Sequence, residues 1–226
     1  MDRSPNVSWQ DSRLSRARRW QALDTHGATI WLTGLPSSGK STIGAAIEER
    51  LVEQGDRAYL LDGDNLRCGI CGDLGFSRAD RNANVRRVGE LARLFADSGA
   101  LAIVALVSPY EATRRQVRER HESDGLAFFE VFVNTPLELC AERDSKGLYA
   151  RARDGLLDGL TGIDDPYEPP LRPDLELTPE VDVQAAVEQV LTLIENHRSE
   201  SAEALSLTAH PPGVPSWDIT STMEMT

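Results

Sequence analysis

The phosphate-binding loop pattern G-x-x-x-x-G-K-[ST] occurs in this chain as Gly34-Leu35-Pro36-Ser37-Ser38-Gly39-Lys40-Ser41-Thr42. An apolar run at 29–33 precedes the loop, and apolar residues at helical spacing follow it, namely Ile43, Ala46, Ile47 and Leu51. Strand, loop and helix in this order are the context in which the pattern binds a nucleoside triphosphate. We therefore predict a nucleoside-triphosphate site at 34–42.

Each residue type in this loop has a physical role in holding a polyphosphate. Gly34 and Gly39 allow backbone angles and close approaches that a side chain would prevent, so backbone N–H groups can surround the phosphates at a helix N-terminus. The Lys40 ammonium is expected to reach the β- and γ-phosphates, and the Ser41 hydroxyl is expected to bind Mg²⁺. The loop therefore predicts a nucleoside triphosphate bound together with Mg²⁺.

Charge and composition exclude several other classes of function. The 226 residues carry a formal net charge of -12, which argues against nucleic acid as the main partner. The N-terminus lacks the apolar core of a signal peptide, and no apolar run approaches membrane-spanning length, so we predict a cytoplasmic protein without membrane contact. Cys68-x-x-Cys71 is either a redox or half-metal motif or a pair of ordinary thiols, and the absence of a second ligand pair favours thiols.

The remaining apolar runs predict an α/β protein. Runs at 58–61, 101–107, 128–133 and 175–177 join 29–33 as five strands separated by helical patterns. We predict a three-layer P-loop NTPase/kinase fold, with a parallel five-stranded sheet flanked by helices and a mobile lid at about 147–173. This domain would span 28–198. The arm at 1–27 would pack on it or serve a subunit interface or substrate entrance, and the tail at 199–226 would be disordered.

Two carboxylates follow the second strand, in Asp62-Gly63-Asp64-Asn65. Because parallel sheets bind ligands at the carboxyl ends of their strands, we expect Asp62 and Asp64 beside the ATP site. One would order Mg²⁺ and its water, and the other would accept the proton of an attacking hydroxyl. Ser108 follows the third strand in the same way, either as a ligand-facing hydroxyl or as the cap of the helix from Glu111 onward.

Residues 65–87 combine arginines with a single aromatic side chain. Arginine forks suit phosphate or sulfate and an aromatic face suits a base, so the segment is either an acceptor site or a solvated loop. A helix with its apolar face at Val85, Val88, Leu91, Ala92 and Phe95 follows, and Ser98-Gly99 is expected to end it.

In the order of its motifs the chain resembles the adenylyl-sulfate (APS) kinase family over roughly residues 5–195. Besides the loop at 34–42, the resemblance rests on Asn6-Val7-Ser8-Trp9, Leu61-Asp62-Gly63-Asp64-Asn65-Leu66-Arg67, Asp73-Leu74-Gly75-Phe76-Ser77, Asn84-Val85-Arg86-Arg87, Ser108-Pro109-Tyr110, Lys146-Gly147-Leu148-Tyr149 and Thr161-Gly162-Ile163-Asp164. The resemblance implies transfer of the ATP γ-phosphoryl group to the 3′-OH of adenosine 5′-phosphosulfate (APS), which gives PAPS and ADP. A homodimer is usual in the family.

The resemblance also implies roles for individual residues. Lys40, Asp62, Asp64 and Ser108 would be catalytic, with Asp64 as the base and Asp62 beside Mg²⁺ and Ser41, although the two carboxylates could exchange roles. Ser108 matches a serine proposed as a phosphoenzyme intermediate, but direct in-line transfer needs no covalent step, so we interpret it as a substrate contact. Phe76 would stack on the acceptor adenine, Arg143 would lie against the ATP adenine, and the other acceptor-binding residues would be Arg67, Arg81, Asn84, Lys146 and Leu160.

Some positions depart from the family pattern. Leu160 stands where a second aromatic residue usually clamps the acceptor adenine, Cys68 replaces a usual histidine, and Ala83 replaces a usual glutamate. Two alternatives therefore stay open, namely a kinase of the same scaffold that phosphorylates another nucleotide-like alcohol, and a non-catalytic nucleotide-binding subunit of a sulfate-activating complex.

Overall fold

A computed structural model describes residues 8, 10 and 12–208 of the chain. The helices and strands are, in order, α1 (Arg16–Leu23), β1 (Ala28–Thr33), α2 (Lys40–Glu53), β2 (Ala58–Asp62), α3 (Gly63–Arg67), α4 (Arg78–Ser98), β3 (Leu101–Ala105), α5 (Glu111–Ser123), β4 (Ala127–Val133), α6 (Leu137–Arg143), α7 (Leu148–Arg153), β5 (Leu175–Leu177) and α8 (Val183–Thr208). The five strands form one parallel sheet in the order β2-β3-β1-β4-β5, which confirms the predicted fold class.

The central strands are buried on both faces, which explains their continuous apolar runs. Because side chains alternate along a strand, Ile30 and Leu32 of β1 pack towards α2 and α8, whereas Trp31 packs towards α4 and α5. Each face therefore has its own apolar core between the sheet and a pair of helices. Among the described helices, none combines the length and the apolar character needed to cross a membrane.

This topology brings several chain turns to one edge of the sheet. The phosphate-binding loop follows β1, Asp62 ends β2 with Asp64 just beyond it, and the segment with Ser108 follows β3. The ladder between β1 and β3 extends one hydrogen bond past β3, from Leu106 N to Leu32 O at 3.1 Å. The backbone then leaves the sheet at Ser108, whose φ is +40°. The third strand is therefore shorter than the predicted 101–107.

The segment at 65–87 contains more helix than the sequence predicted. α4 starts at Arg78 because Ser77 caps it, with Ser77 Oγ accepting from Asp80 N at 3.2 Å. Ser77 and Asp80, three positions later, resemble a capping box, a pattern that can be recognised in the sequence. Arg81 and Asn84 therefore lie on the first turns of a helix and share one face of it. The helix ends at Ser98 with Gly99 as its cap, as predicted.

The described part of the N-terminal arm packs against the end of α4. Arg16 and Arg19 both pair with Asp97, and Trp20 Nε1 donates to Asp97 O at 3.0 Å. Trp9 lies outside the described residues. At the other end, α8 continues to Thr208, so 199–208 is helical where we expected a disordered tail. The rest of that predicted tail, 209–226, lies outside the described residues.

Candidate active site

A cavity of about 1240 Å³ opens at the carboxyl edge of the sheet. Its walls include seven of the nine loop residues, 36–42, and all the other predicted site residues, namely Asp62, Asp64, Arg67, Phe76, Arg81, Asn84, Ser108, Arg143, Lys146 and Leu160. Gly34 and Leu35 do not line it. One cavity therefore joins the loop to the groups that the sequence predicts around the acceptor.

The two glycines of the loop are required for different reasons. Gly34 has φ +156°, and a Cβ there would lie 2.6 Å from Val133 O, so a side chain would collide with the backbone of β4. Gly39 has φ +106°, but a Cβ there would meet no atom closer than 3.9 Å. Its requirement is conformational, because residues with side chains rarely adopt this backbone angle. α2 begins at the next residue, so the loop ends at a helix N-terminus.

The Lys40 side chain is buried inside the phosphate-binding loop. Its Nζ donates to Leu35 O at 2.6 Å and to Ser38 Oγ at 3.2 Å. Burial lowers the pKa of Lys40 from 10.5 to about 8, although the nearby Cys140 and Asp62 partly oppose the shift. The ammonium is thus held in a poorly hydrated site where anionic oxygens would stabilise it strongly.

The lowered pKa of Lys40 predicts a pH dependence for ATP binding. Above about pH 8 the free protein increasingly holds neutral Lys40, whereas bound phosphates favour the ammonium, so binding takes up a proton. We expect kcat/KM for ATP to fall above about pH 8, by up to about tenfold per pH unit. Calorimetry in buffers of different ionisation enthalpy measures the uptake directly. A profile that stays flat to pH 9.5, with no proton uptake, would contradict it. Lys40→Arg, whose side chain stays charged, is the control for the calorimetry alone, and its binding of ATP should take up no proton.

The two carboxylates after β2 have distinct surroundings. Asp62 is buried, and its Oδ2 accepts from Ser41 Oγ at 2.6 Å while its Oδ1 accepts from Asp64 N at 2.9 Å. Asp64 is exposed and forms an ion pair with Lys146. The carboxylate beside the serine of the loop is therefore Asp62, and the solvent-facing carboxylate is Asp64.

The predicted acceptor side of the cavity contains an aromatic ring with two guanidinium groups close to it. Phe76 is 63% exposed, with Arg67 Cζ 4.4 Å and Arg81 Cζ 5.5 Å from its ring centroid. Arg81 is fixed because its Nε donates to Phe76 O at 2.9 Å and its Nη2 donates to Gly159 O at 2.6 Å. Asn84 is 4% exposed, and its Oδ1 has no hydrogen-bond partner among the described residues.

Ser108 lies in a chain of buried hydrogen bonds. Its Oγ accepts from Trp31 Nε1 at 3.1 Å and donates to Thr33 Oγ1 at 2.8 Å, and Thr33 Oγ1 donates onward to Val107 O at 2.9 Å. Its hydroxyl therefore braces the loop between β3 and α5. The alternative of a helix cap is wrong, because Tyr110 is the N-cap of α5 and the side chain of Glu168 accepts from Glu111 N at 2.8 Å.

The predicted lid has two unlike halves. Residues 160–168 are tied to the domain: Asp165 Oδ2 accepts from Tyr110 OH at 2.9 Å and lies 3.2 Å from Arg81 Nε, and Tyr167 OH lies 3.0 Å from Thr33 Oγ1. Leu160 is 6% exposed and packs in a small apolar cluster with Cys140 and Tyr149. By contrast, the glycines at 147, 155 and 159 have positive φ, and a Cβ there would meet nothing within 4 Å.

Sequence reasoning missed part of the cavity wall. Arg143 lines the cavity, with Nη1 3.4 Å from Ser38 O. The end of β5, the start of α8 and the segment between them line it too, namely Leu177, Thr178, Pro179, Val181, Asp182 and Val183. No local pattern marks these residues, since only the sheet order puts β5 next to β4. Arg114 was also missed: it is 2% exposed, pairs with Glu130 at 2.7 Å and donates to Ser108 O.

The cysteines show no shared site. Cys68 is exposed and Cys71 is buried, and both are free thiols. Within the part of the chain that the structure describes, no group of three or more His, Cys, Asp or Glu side chains is placed to hold a metal ion. Burial raises the pKa of the Cys71 thiol, which keeps it protonated in the core.

The comparisons with known sequences all indicate the same family. The family model described as adenylylsulphate kinase matches residues 26–178. The adenylyl-sulfate kinase of Lactiplantibacillus plantarum is 48% identical over 199 residues, which are 87% of this chain and 95% of that protein. The adenylyl-sulfate kinase of Saccharomyces cerevisiae is 47% identical over 189 residues, which are 84% and 92% of the two chains.

Solved structures agree with the sequence comparison. The APS kinase of Mycobacterium tuberculosis in complex with AMPPNP and APS has a TM-score of 0.74 and 48% identity, covering 76% of this chain and 99% of that chain. A hexameric APS kinase from Thiobacillus denitrificans has a TM-score of 0.59 and 34% identity, covering 76% of this chain and 29% of that chain. Together with the loop, the two carboxylates and the cavity that joins them, these matches show that the chain belongs to the adenylylsulphate kinase family of ATP-dependent kinases.

Proposed function

We propose that the protein transfers the γ-phosphoryl group of ATP to the 3′-OH of APS, giving PAPS and ADP. The observation that carries this proposal is that one cavity is lined both by the phosphate-binding loop and by Phe76, Arg67, Arg81 and Asn84. Phosphoryl transfer needs positioning and charge stabilisation more than covalent chemistry, so two facing sites are sufficient for the reaction.

On the donor side, the loop backbone and Lys40 would bind the ATP phosphates, with Arg143 against the adenine. Ser41 and Asp62 offer a hydroxyl and a carboxylate 2.6 Å apart, and hard oxygen atoms of this kind fit Mg²⁺. Mg²⁺ bound there would supply positive charge to the β- and γ-phosphate oxygens. Gly39 and the start of α2 place the positive end of a helix dipole at the same point.

On the acceptor side, Phe76 offers an exposed ring for the adenine of APS. Arg67 lies over the ring and Arg81 lies beside it, so their guanidinium groups would meet the negative phosphosulfate close to the base. The free Asn84 Oδ1 is a hydrogen-bond acceptor, which suits a ribose hydroxyl or a base amino group better than an anion. Leu160 would contact the acceptor with apolar atoms only.

In the chemical step, Asp64 would accept the proton of the 3′-OH as the oxygen attacks the γ-phosphorus. The ADP oxygen leaves on the opposite side, where Lys40 would stabilise the developing charge. Lys146 would hold the Asp64 carboxylate in place before the acceptor binds. Ser108 would position the loop between β3 and α5, since direct transfer needs no phosphoenzyme and its hydroxyl proton is already shared with Thr33.

We assign the exclusion of water from the cavity to residues 147–159, the first half of the predicted lid. Residues 147–159 would be the moving half, since they carry α7 and three glycines with positive φ, and closure would shift the contacts that Tyr149 makes with Pro36 O and Gly159 O makes with Arg81. The second half, 160–168, would act as a fixed base because of its contacts with Arg81, Tyr110 and Thr33.

Asp62→Asn tests the Mg²⁺ assignment. Asparagine keeps an acceptor for Asp64 N and loses the negative charge, so we expect the Mg²⁺ concentration for half-maximal turnover to rise at least about tenfold. Binding of ATP without metal should change little. Calorimetric titration with ATP and with MgATP separates the two effects, and an unchanged advantage of MgATP over ATP in the variant would remove Asp62 from the metal site.

A coupled ADP-release assay with MgATP and APS tests the proposed reaction, run beside ATP alone and other nucleotides with a free 3′-OH. We expect turnover with APS at micromolar KM. Turnover with another nucleotide instead of APS would assign the scaffold to a different acceptor, and ATP binding without any turnover would indicate the non-catalytic subunit. The same preparation, analysed by light scattering, tests the predicted homodimer against the hexameric arrangement of one relative. The cytoplasmic location stays a prediction.

A further inference from the structure

The buried guanidinium group of Arg114 joins three separate parts of the chain. Its Nε donates to Glu130 Oε1 at 2.7 Å, its Nη1 donates to Ser108 O at 2.7 Å and its Nη2 donates to Glu168 O at 2.8 Å. A buried ion pair gains little net stability, because removing both charges from water offsets their attraction, so the pair with Glu130 does not by itself explain an arginine here. A planar fork that binds one carboxylate and two carbonyl oxygens in fixed directions does explain it.

The first part that Arg114 holds is the loop between β3 and α5. Residues 105–109 all line the cavity. Ser108 has φ +40°, a left-handed backbone angle that residues with side chains rarely adopt and that surrounding contacts must maintain. The bond from Arg114 to Ser108 O is one of these contacts. Leu106 also packs on Gly63, where a Cβ would lie 2.8 Å from a methyl carbon of Leu106, so the loop contacts the turn that separates the two carboxylates.

The second part that Arg114 holds is the fixed half of the lid, residues 160–168. Arg114 binds its last carbonyl group, and Glu168 N donates to Pro109 O at 2.8 Å, so the lid and the loop are also joined directly. The first two residues of this half line the cavity, whereas Arg114 itself is not part of the cavity wall. The guanidinium group therefore lies behind two segments that border the cavity.

We propose that Arg114 is a positioning residue for the acceptor. Its guanidinium group sets the distance between the loop after β3 and the fixed half of the lid, and thereby the shape of the acceptor side of the cavity. It acts through the backbone of Ser108 and Glu168 and touches no substrate. The inference rests on the proposed reaction, in which APS binds on this side. The phosphate-binding loop follows a different strand, so binding of ATP should not depend on Arg114.

Arg114→Lys tests the proposal, because lysine keeps a positive charge beside Glu130 and lacks the planar fork. We expect KM for APS to rise about tenfold, since bonds that fix the acceptor side are lost, while KM for ATP stays within about twofold of wild type. Steady-state kinetics with each substrate varied in turn measures both values. A merely structural role would lower the melting temperature and leave the ratio of the two KM values unchanged.

Two control variants separate positioning from stability. Arg93 is also buried and pairs with Asp124 at 2.7 Å but does not line the cavity, so Arg93→Lys should lower the melting temperature and leave both KM values within about twofold of wild type. Glu130→Gln removes the charge of the partner and keeps an acceptor for Arg114 Nε. It should lower the melting temperature, with KM for APS within about twofold of wild type.

Glu168→Ala tests the same junction without changing a buried arginine. The Glu168 side chain accepts from Glu111 N at 2.8 Å and is partly exposed, so the variant should fold, with KM for APS raised at least about threefold. An unchanged KM for APS in Arg114→Lys overturns the inference, as it does in Glu168→Ala if Arg114→Lys fails to fold. An equal rise in KM for ATP, or an equal rise in KM for APS in Glu130→Gln, also overturns it. Failure of the proposed reaction is distinguished by the wild-type protein, which would then not turn over APS.

Discussion

Replacing Lys40 with alanine lowers kcat by at least about 10³-fold in our expectation, the largest single effect in this protein. The reason is that Lys40 provides the fixed positive charge at the β- and γ-phosphates, in a buried position where water cannot replace it. Single-turnover measurement of ADP formation at saturating MgATP and APS gives the comparison. A variant whose kcat stays within tenfold of wild type would disprove the assignment of the loop as the catalytic ATP site.

The melting temperature of Lys40→Ala provides the control for this experiment. The ammonium is held in a site that lowers its pKa, so removing it relieves a cost of burial while losing the bonds to Leu35 O and Ser38 Oγ. We therefore expect a melting temperature within a few degrees of wild type, which separates loss of chemistry from loss of fold. Lys40→Arg should recover little activity, because a planar guanidinium does not fit the space of an ammonium.

Asp64→Asn is expected to lower kcat by about 10²- to 10³-fold, with the Kd for ATP changed less than about twofold. The expectation follows from the position of Asp64, whose side chain is exposed to the cavity and pairs with Lys146 rather than with the loop. Loss of a general base affects the transition state and leaves ground-state binding of the donor alone. Steady-state kinetics with a separate fluorescence titration of ATP measures both quantities.

Lys146→Gln is the matched control for Asp64→Asn. It removes the partner of the ion pair and keeps the carboxylate, so its kcat should fall much less than that of Asp64→Asn. Equal losses in the two variants would mean that the pair matters and the base does not. If Asp62→Asn instead shows the loss in kcat without a change in Mg²⁺ dependence, then the two carboxylates have exchanged the roles proposed for them.

The predicted sites differ in how much tertiary structure their recognition needs. The loop at 34–42 is a contiguous motif whose function depends on local backbone geometry, and both of its glycines are required as expected. The position of Asp62 and Asp64 beside the loop could be predicted from the sequence, because a parallel sheet brings the ends of its strands together. Ser108 was ambiguous, since a serine before a helix resembles a cap; its bonds to Trp31 and Thr33 involve residues far away in the chain.

Two errors show where sequence reasoning is weakest. The start of α4 at Arg78 was missed because the apolar period begins only at Val85, although the Ser77–Asp80 cap was present in the sequence. The helical residues 199–208 were missed because α8 continues past the last apolar residue of the periodic pattern. Element boundaries depend on caps and on neighbouring elements, which a periodic pattern does not record.

The sequence by itself determined the fold class, the phosphate-binding loop and the position of the two carboxylates, because each belongs to a short motif tied to a strand or helix end. Only the tertiary structure decided that Asp62 meets Ser41, that Asp64 pairs with Lys146 and that half of the lid is anchored. It alone revealed that Arg114 joins Ser108 to Glu168. The physical reason is that hydrogen bonding and burial depend on residues distant in the chain, whereas turn and strand signals are local.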